Sequence, residues 1–181
     1  MVYVFLADGF EETEAIAPID ILRRSKIKVT TVGIGSKTVT SSHGITVTAD
    51  ISENDAVFDD LDAVVLPGGM PGTLNLEGSA TVQKFVDYAT ENDLYVCAIC
   101  AAPSILGHKG ILNGKKATCF PGFEKDLIGA AVTGLPAVCD GKVITGKGAG
   151  AAIEFGLLIS EKLCGKDVSK RVRESMQCPQ V

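Results

Sequence analysis

Cys100 closes a short apolar run, Leu94 to Ile99, and is followed by Ala101, Ala102 and Pro103. Val96 and Ile99 are β-branched, and the polar Glu91-Asn92-Asp93 precedes the run, so it predicts a strand buried on both faces of a parallel sheet. Pro103 followed by Ser104-Ile105-Leu106 predicts a helix with proline in its first turn. Cys100 therefore falls at a sharp strand-to-helix turn, the arrangement of a nucleophile elbow. Backbone N–H groups and the helix dipole favour thiolate at such a place, and thiolate is the form of cysteine that reacts. The competing reading is a structural cysteine packed as a small hydrophobe.

A cysteine nucleophile ordinarily has a histidine base, and this chain offers His43 and His108. His43 sits between two short alternating segments, and His108 lies about two turns along the elbow helix. Both read as surface residues, which weakens a Cys-His hydrolase. Glu14 is the better acid–base partner, provided burial raises its pKa so that the protonated carboxyl donates to the thiolate. The alternative for Glu14 is a first-turn carboxylate with no chemical task. Cys97 and Cys100 have C-x-x-C spacing, but Cys97 falls within the strand, and an extended i to i+3 separation of roughly 10 Å is too long for a disulfide. Cys119 is a freer candidate for a resolving thiol. Gly146-x-Gly148-x-Gly150 lacks the final spacing and the βαβ context of a dinucleotide fingerprint, and reads as a tight strand–helix junction.

These residues need a scaffold. A chain of 181 residues suits one domain that buries about 70% of its unfolded surface. The net charge of −5 argues against a surface that tracks nucleic-acid phosphates. No stretch reaches the roughly 18 apolar residues of a membrane span, and Val2–Ala7 is too short for a signal-peptide core. A cytoplasmic protein is expected, with its six cysteines reduced. Their irregular spacing gives no zinc pattern.

Val2–Ala7 reads as the first strand, and a helix follows from Glu11-Glu12-Thr13-Glu14 to about Ser25, with Pro18 predicting a late start or a kink. Ile27–Val32 completes a right-handed βαβ unit. Thr38–Ser42 and Ile45–Thr48 predict a small antiparallel hairpin around His43-Gly44. Ala63–Leu66 is the next strand and ends in the turn-rich Pro67-Gly68-Gly69-Met70-Pro71-Gly72. A helix over 79–91 leads to the elbow strand. Lys116–Phe120 predicts a strand and Glu124–Gly129 a short helix. Ala137–Cys139 and Lys142–Thr145 form a second hairpin, an apolar helix opens at Gly148-Ala149-Gly150, and Val168–Met176 closes the chain as a surface helix. The order is an α/β, flavodoxin-like doubly wound sandwich: a mostly parallel sheet, helices on both faces and a small β-hairpin. Ligands bind such sheets beyond the carboxyl ends of the strands. There one loop brings Glu11, Glu12 and Glu14, a second the backbone of Gly68 and Gly69, and a third Cys100.

An ordered set of motifs resembles the ThiJ/PfpI superfamily, and within it the DJ-one branch that holds the parkinsonism-associated deglycase and its bacterial relatives. The marks are Gly9-Phe10-Glu11-Glu12-Thr13-Glu14, Asp20 with Arg23-Arg24, Ile27-Lys28-Val29-Thr30, Val64-Val65-Leu66-Pro67-Gly68-Gly69, Ala98-Ile99-Cys100-Ala101-Ala102-Pro103 and Glu154-Phe155. The resemblance covers essentially the whole chain as one domain, related to class I glutamine amidotransferases. It implies a homodimer, joined through the first helix and the His43 hairpin, with Cys100 reactive and Glu14 protonated beside it. Members of the family are described as cofactor-free glyoxalases acting on methylglyoxal, as protein deglycases and as redox-responsive chaperones. Ala101 stands where the protease-like branch has His, which argues against peptidase activity. Phe120 replaces a His found in some members, His43 an Arg near the dimer interface, and Ala149 and Ala151 the Pro and Thr of a Gly-Pro-Gly-Thr stretch.

The expectation is a cofactor- and metal-independent enzyme for small 2-oxoaldehydes, glycated proteins or thiol adducts. Cys100 attacks the aldehyde, Glu14 moves the proton, and the N–H groups of Gly68, Gly69 and Ala101 hold the oxyanion. The alternative is an oxidative-stress sensor or chaperone that uses the same cysteine without turnover.

Overall fold

Burial on both faces is what makes the central strands near-continuous apolar runs, and the computed structural model, which describes residues 1–179, shows this directly. In chain order the elements begin with β1 (Val2–Leu6), α1 (Glu12–Arg24), β2 (Val29–Gly33), β3 (Thr38–Thr40), β4 (Thr46–Thr48), β5 (Ile51–Ser52) and β6 (Ala63–Leu66). There follow α2 (Gly72–Gly78), α3 (Ala80–Glu91), β7 (Tyr95–Ile99), α4 (Pro103–His108), β8 (Lys116–Ala117) and β9 (Ala131–Val132). The last elements are β10 (Ala137–Asp140), β11 (Val143–Gly146), α5 (Ala152–Cys164) and α6 (Lys166–Ser175). Seven strands form the central sheet in the order β10-β11-β7-β6-β1-β2-β5. All its pairings are parallel except β10 with β11. The expected α/β doubly wound class is the one found.

Alternate residues of each strand feed two cores on opposite faces of the sheet. Phe5, Val64, Val96 and Ala98 pack with α3 and α4 on one face, whereas Val4, Val65, Cys97 and Ile99 pack with α1 and α5 on the other. The chain passes from the β2 side of β1 to β6 on its opposite side, so the loops after β1 and β6 diverge from neighbouring strand ends. That is the topological switch point of an open α/β sheet, and β7 brings the elbow in beside it.

Several local expectations need correction. α1 starts on time at Glu12 and runs unbroken past Pro18. A side chain at Gly156 would come within 3.0 Å of Pro18 Cα; the close packing of α1 on α5 there outweighs the lost backbone hydrogen bond. The loop expected over 67–72 ends sooner, because Gly72 opens α2, which runs to Gly78 despite glycine at both ends. The Lys116–Phe120 strand shrinks to Lys116–Ala117, paired only with β9, because Thr118 and Phe120 give their N–H groups to Thr145 Oγ1 and Cys100 O instead. The helix near Glu124–Gly129 is a 3₁₀ turn, Glu124–Asp126, and a 3₁₀ turn over Ala149–Ala151 precedes α5. The β3–β4 hairpin pairs with itself, apart from the main sheet.

Candidate active site

Cys100 has φ of 67°, left-handed backbone for a residue with a Cβ, and such strain persists only where surrounding structure fixes it. Here two bonds do so: Cys100 donates its N–H to Gly146 O at 2.9 Å and accepts from Phe120 N–H at 2.8 Å. The bend lifts Cys100 out of the strand ladder at the carboxyl end of β7. The side chain stays half-buried, with the N–H groups of Gly69 and Ala101 in reach of its sulfur.

Glu14 projects from the first turn of α1 and is 1% exposed. Its Oε2 accepts the Gly68 N–H at 2.9 Å, the Ala149 N–H also reaches the carboxyl, and the Cys100 thiol is within hydrogen-bonding distance. Burial, opposed by these bonds and reinforced by the Glu11 charge, pushes Glu14 up to about 7. Burial first, then the Glu14 charge, pushes the Cys100 thiol up to about 12. The sequence expectation of a thiolate made by the helix terminus is therefore too simple. α4 is short, and its dipole does not outweigh burial beside a carboxylate. Cys100 and Glu14 share a hydrogen bond, and a charge on Glu14 disfavours a charge on the sulfur.

Three loops meet at glycine contacts. A Cβ at Gly68 would lie 2.6 Å from both Cys100 Cβ and Glu14 Oε2, so a bare backbone is what lets carboxyl and thiol meet. Gly69, at φ 89°, faces the backbone of Gly9, Phe10 and Glu11 as closely. Gly69 and Ala101 lie beside the sulfur as anticipated. Gly68 serves differently: its N–H is occupied by Glu14 and is not a spare oxyanion donor.

The remaining candidates lie elsewhere. His43 Nδ1 pairs with Glu12 at 3.0 Å, and His108 Nδ1 with Glu77 at 2.6 Å. Cys119 is buried in the core on the α3–α4 face, opposite the face against which Cys100 packs. Cys97 and Cys100 are both free thiols. Glu11, Glu12 and His43 are the single group with metal-ligand spacing among the described residues; His43 pairs with Glu12 Oε1, and the buried Glu12 Oε2 has no hydrogen-bond partner. The ring of Phe120 stands over Gly148, 3.2 Å from where its Cβ would be, and Glu14 Oε1 lies 4.0 Å away on the same side. Two residues named from sequence have roles that the fold reveals. Ala149 supplies an N–H to Glu14 that a proline could not, and Glu11 caps α1 by accepting the Glu14 N–H at 2.7 Å. Only Glu11 had a visible signal, an N-cap acceptor three residues before its donor.

A strained cysteine at a strand–helix elbow, paired with a buried carboxyl at the switch point of a parallel sheet, defines a cysteine-elbow α/β protein. The model of the DJ-1/PfpI family matches residues 1–162, and the chain belongs to that family. It is 36% identical over 176 residues to Protein dj-1beta of Drosophila melanogaster, covering 96% of this chain and 94% of that one. It is 32% identical to a protein of Pyrococcus abyssi named Deglycase PYRAB04690, over 81% of this chain and 89% of that one. Among solved structures, a cysteine-to-alanine mutant of the DJ-1 superfamily protein STM1931 from Salmonella typhimurium superposes with a TM-score of 0.93 at 37% identity, covering 99% and 98% of the two chains.

Proposed function

We propose that the protein is a cofactor-independent enzyme that converts small 2-oxoaldehydes such as methylglyoxal to 2-hydroxy acids, with glycated protein or thiol adducts as related substrates. The observation that carries this reading is the Cys100–Glu14 pair, a nucleophile and a proton carrier in contact within a buried site. Similarity to a protein named as a deglycase supports it. In the reactive form the proton is on Glu14 and the charge on Cys100. The sulfur attacks the aldehyde carbon, Glu14 protonates the new alkoxide, and a hemithioacetal results. Glu14, now a carboxylate, removes the proton from that carbon and returns it to the neighbouring ketone carbon through an enediolate, while the hydroxyl proton of the first carbon passes to the former ketone oxygen. A 2-hydroxyacyl thioester is left, which water cleaves to release the acid and the thiolate. One water is consumed and no net electrons enter or leave, so no redox cofactor is required. The Gly69 and Ala101 N–H groups are the donors for the developing oxyanion. Incubation with methylglyoxal and no added thiol or cofactor should release lactate in molar excess over protein. Loss of methylglyoxal that stops at one equivalent per protein would contradict turnover.

The same surroundings support a second reading, oxidation of Cys100 as a signal. Sulfinate oxygens at this sulfur would meet two N–H donors and a carboxylic acid. Cys97 and Cys119 are buried in the two cores, whereas Cys100 is only half-buried. Graded peroxide followed by peptide mass mapping should modify Cys100 before the other five cysteines. Earlier modification of Cys164 or Cys178 would make the elbow cysteine ordinary.

A homodimer through α1 and the β3–β4 hairpin is part of the proposal, as is a cytoplasmic setting, which six unpaired cysteines suit. Among the described residues no helix is long and apolar enough to cross a membrane. Ile16 on α1, Ile45 on the hairpin and Ile153 on α5 are all exposed. Ser42 N–H donates to Phe10 O at 2.8 Å, holding the hairpin to the loop before α1. Light scattering at micromolar concentration should give twice the chain mass; the mass of a single chain would count against this assembly.

A further inference from the structure

The geometry points to Glu11 as a positioning residue that decides which member of the Cys100–Glu14 pair holds the shared proton. The inference rests on the pair proposed above and concerns a residue that bonds to the backbone of Glu14 and Gly68.

Three hydrogen bonds close a ring around the site. Glu11 N–H donates to Gly68 O at 2.9 Å, Gly68 N–H donates to Glu14 Oε2 at 2.9 Å, and Glu14 N–H donates to Glu11 Oε2 at 2.7 Å. The ring ties the loop after β1 to the loop after β6 and sets where the Glu14 carboxyl stands against Cys100. It also fixes a carboxylate on the Glu14 side of the pair. The pair can place its single negative charge on Glu14, leaving a thiol, or on Cys100, leaving a carboxylic acid. Both placements are repelled by Glu11, but the nearer one more strongly. The Glu11 carboxylate, held against the Glu14 backbone by the ring, raises Glu14, whereas burial and the Glu14 charge dominate at Cys100. It therefore drives the proton onto Glu14 and the charge onto sulfur.

Other groups act on the same balance. The N–H groups of Gly68 and Ala149 favour charge on Glu14, and those of Gly69 and Ala101 favour charge on Cys100. Beyond Glu11 lie Glu12 and His43, whose ligand atoms are within 4.8 Å of its carboxylate. Glu11 is the one fixed charge that both belongs to the hydrogen-bonded ring and raises Glu14.

The test is the pH profile of Cys100 alkylation by iodoacetamide in the full chain, read by peptide mass spectrometry, with Glu11→Gln compared in the wild-type, Glu14→Gln and His43→Gln backgrounds. Glu11→Gln keeps a capping oxygen and removes the charge. In the wild-type background it should lower the Cys100 alkylation rate at fixed pH by about three- to tenfold, equivalent to a half to one pKa unit of bias. In a Glu14→Gln background no proton is shared, and removing a nearby anion should leave the rate unchanged or raise it. That reversal is what a structural role would not give, since damage to the cap slows alkylation in both backgrounds. A His43→Gln variant should leave the sign of the Glu11→Gln effect intact. Equal slowing with and without Glu14, or no slowing in either, overturns the inference. If Glu14→Gln alone leaves the wild-type profile unaltered, the coupled pair itself fails, a separate result from an inert Glu11.

Discussion

Glu14→Gln is expected to lower methylglyoxal turnover by about 10²–10⁴-fold, the size of a lost general acid–base, while Cys100 still alkylates. The glutamine amide fills the same volume and can donate an N–H to the sulfur, but it cannot release and recover a proton. Burial makes the change informative, since Glu14 is 1% exposed. Glu14→Asp should lose most turnover too, because the shorter side chain withdraws the carboxyl from Gly68 N–H and from the thiol. Steady-state kinetics alongside alkylation rates separate the two roles. Near wild-type turnover in both variants would remove Glu14 from the proton path and leave the nucleophile standing.

Gly68→Ala should be nearly as damaging through position alone. The added methyl would sit 2.6 Å from both Cys100 Cβ and Glu14 Oε2. Relief must come from moving one of them, and a misplacement of about 1 Å is enough to cost about 10²-fold in rate. Overpacking also costs stability, about 1–3 kcal/mol. Gly78→Ala is the matched control, because nothing lies within 4 Å of a Cβ there, and it should retain turnover. Equal activity in the two variants, measured with thermal melts to confirm folding, would show that carboxyl–thiol contact is not required.

The central sheet and the elbow were legible because burial on both faces writes itself as short apolar runs. Val2–Leu6, Ala63–Leu66 and Tyr95–Ile99 are such runs, each fully or almost fully buried. Cys100 and Glu14 could be placed because both follow strands whose carboxyl ends define the site. Edge elements were less legible. β5, β8 and β9 are two residues long, and α2 follows Pro71 and begins and ends in Gly72 and Gly78, residues that locally announce a loop. The role of Gly68 was invisible for another reason. Its neighbours Pro67 and Gly69 signal a turn, but only the fold shows that a carboxyl and a sulfur pass on either side of it. Glu11, Glu12 and Glu14 likewise look alike in sequence. One caps the helix, one meets His43 at the surface, and one is buried against the thiol.

The most direct test of the central claim is lactate formed per mole of protein from methylglyoxal, followed by proton NMR, for the wild-type chain and Cys100→Ser. A serine hydroxyl is far less acidic than a thiol and is not ionised by the Glu14 carboxylate, so the wild type should yield many equivalents and the variant none above the uncatalysed rate. Lactate formation by Cys100→Ser at the wild-type rate would contradict the account.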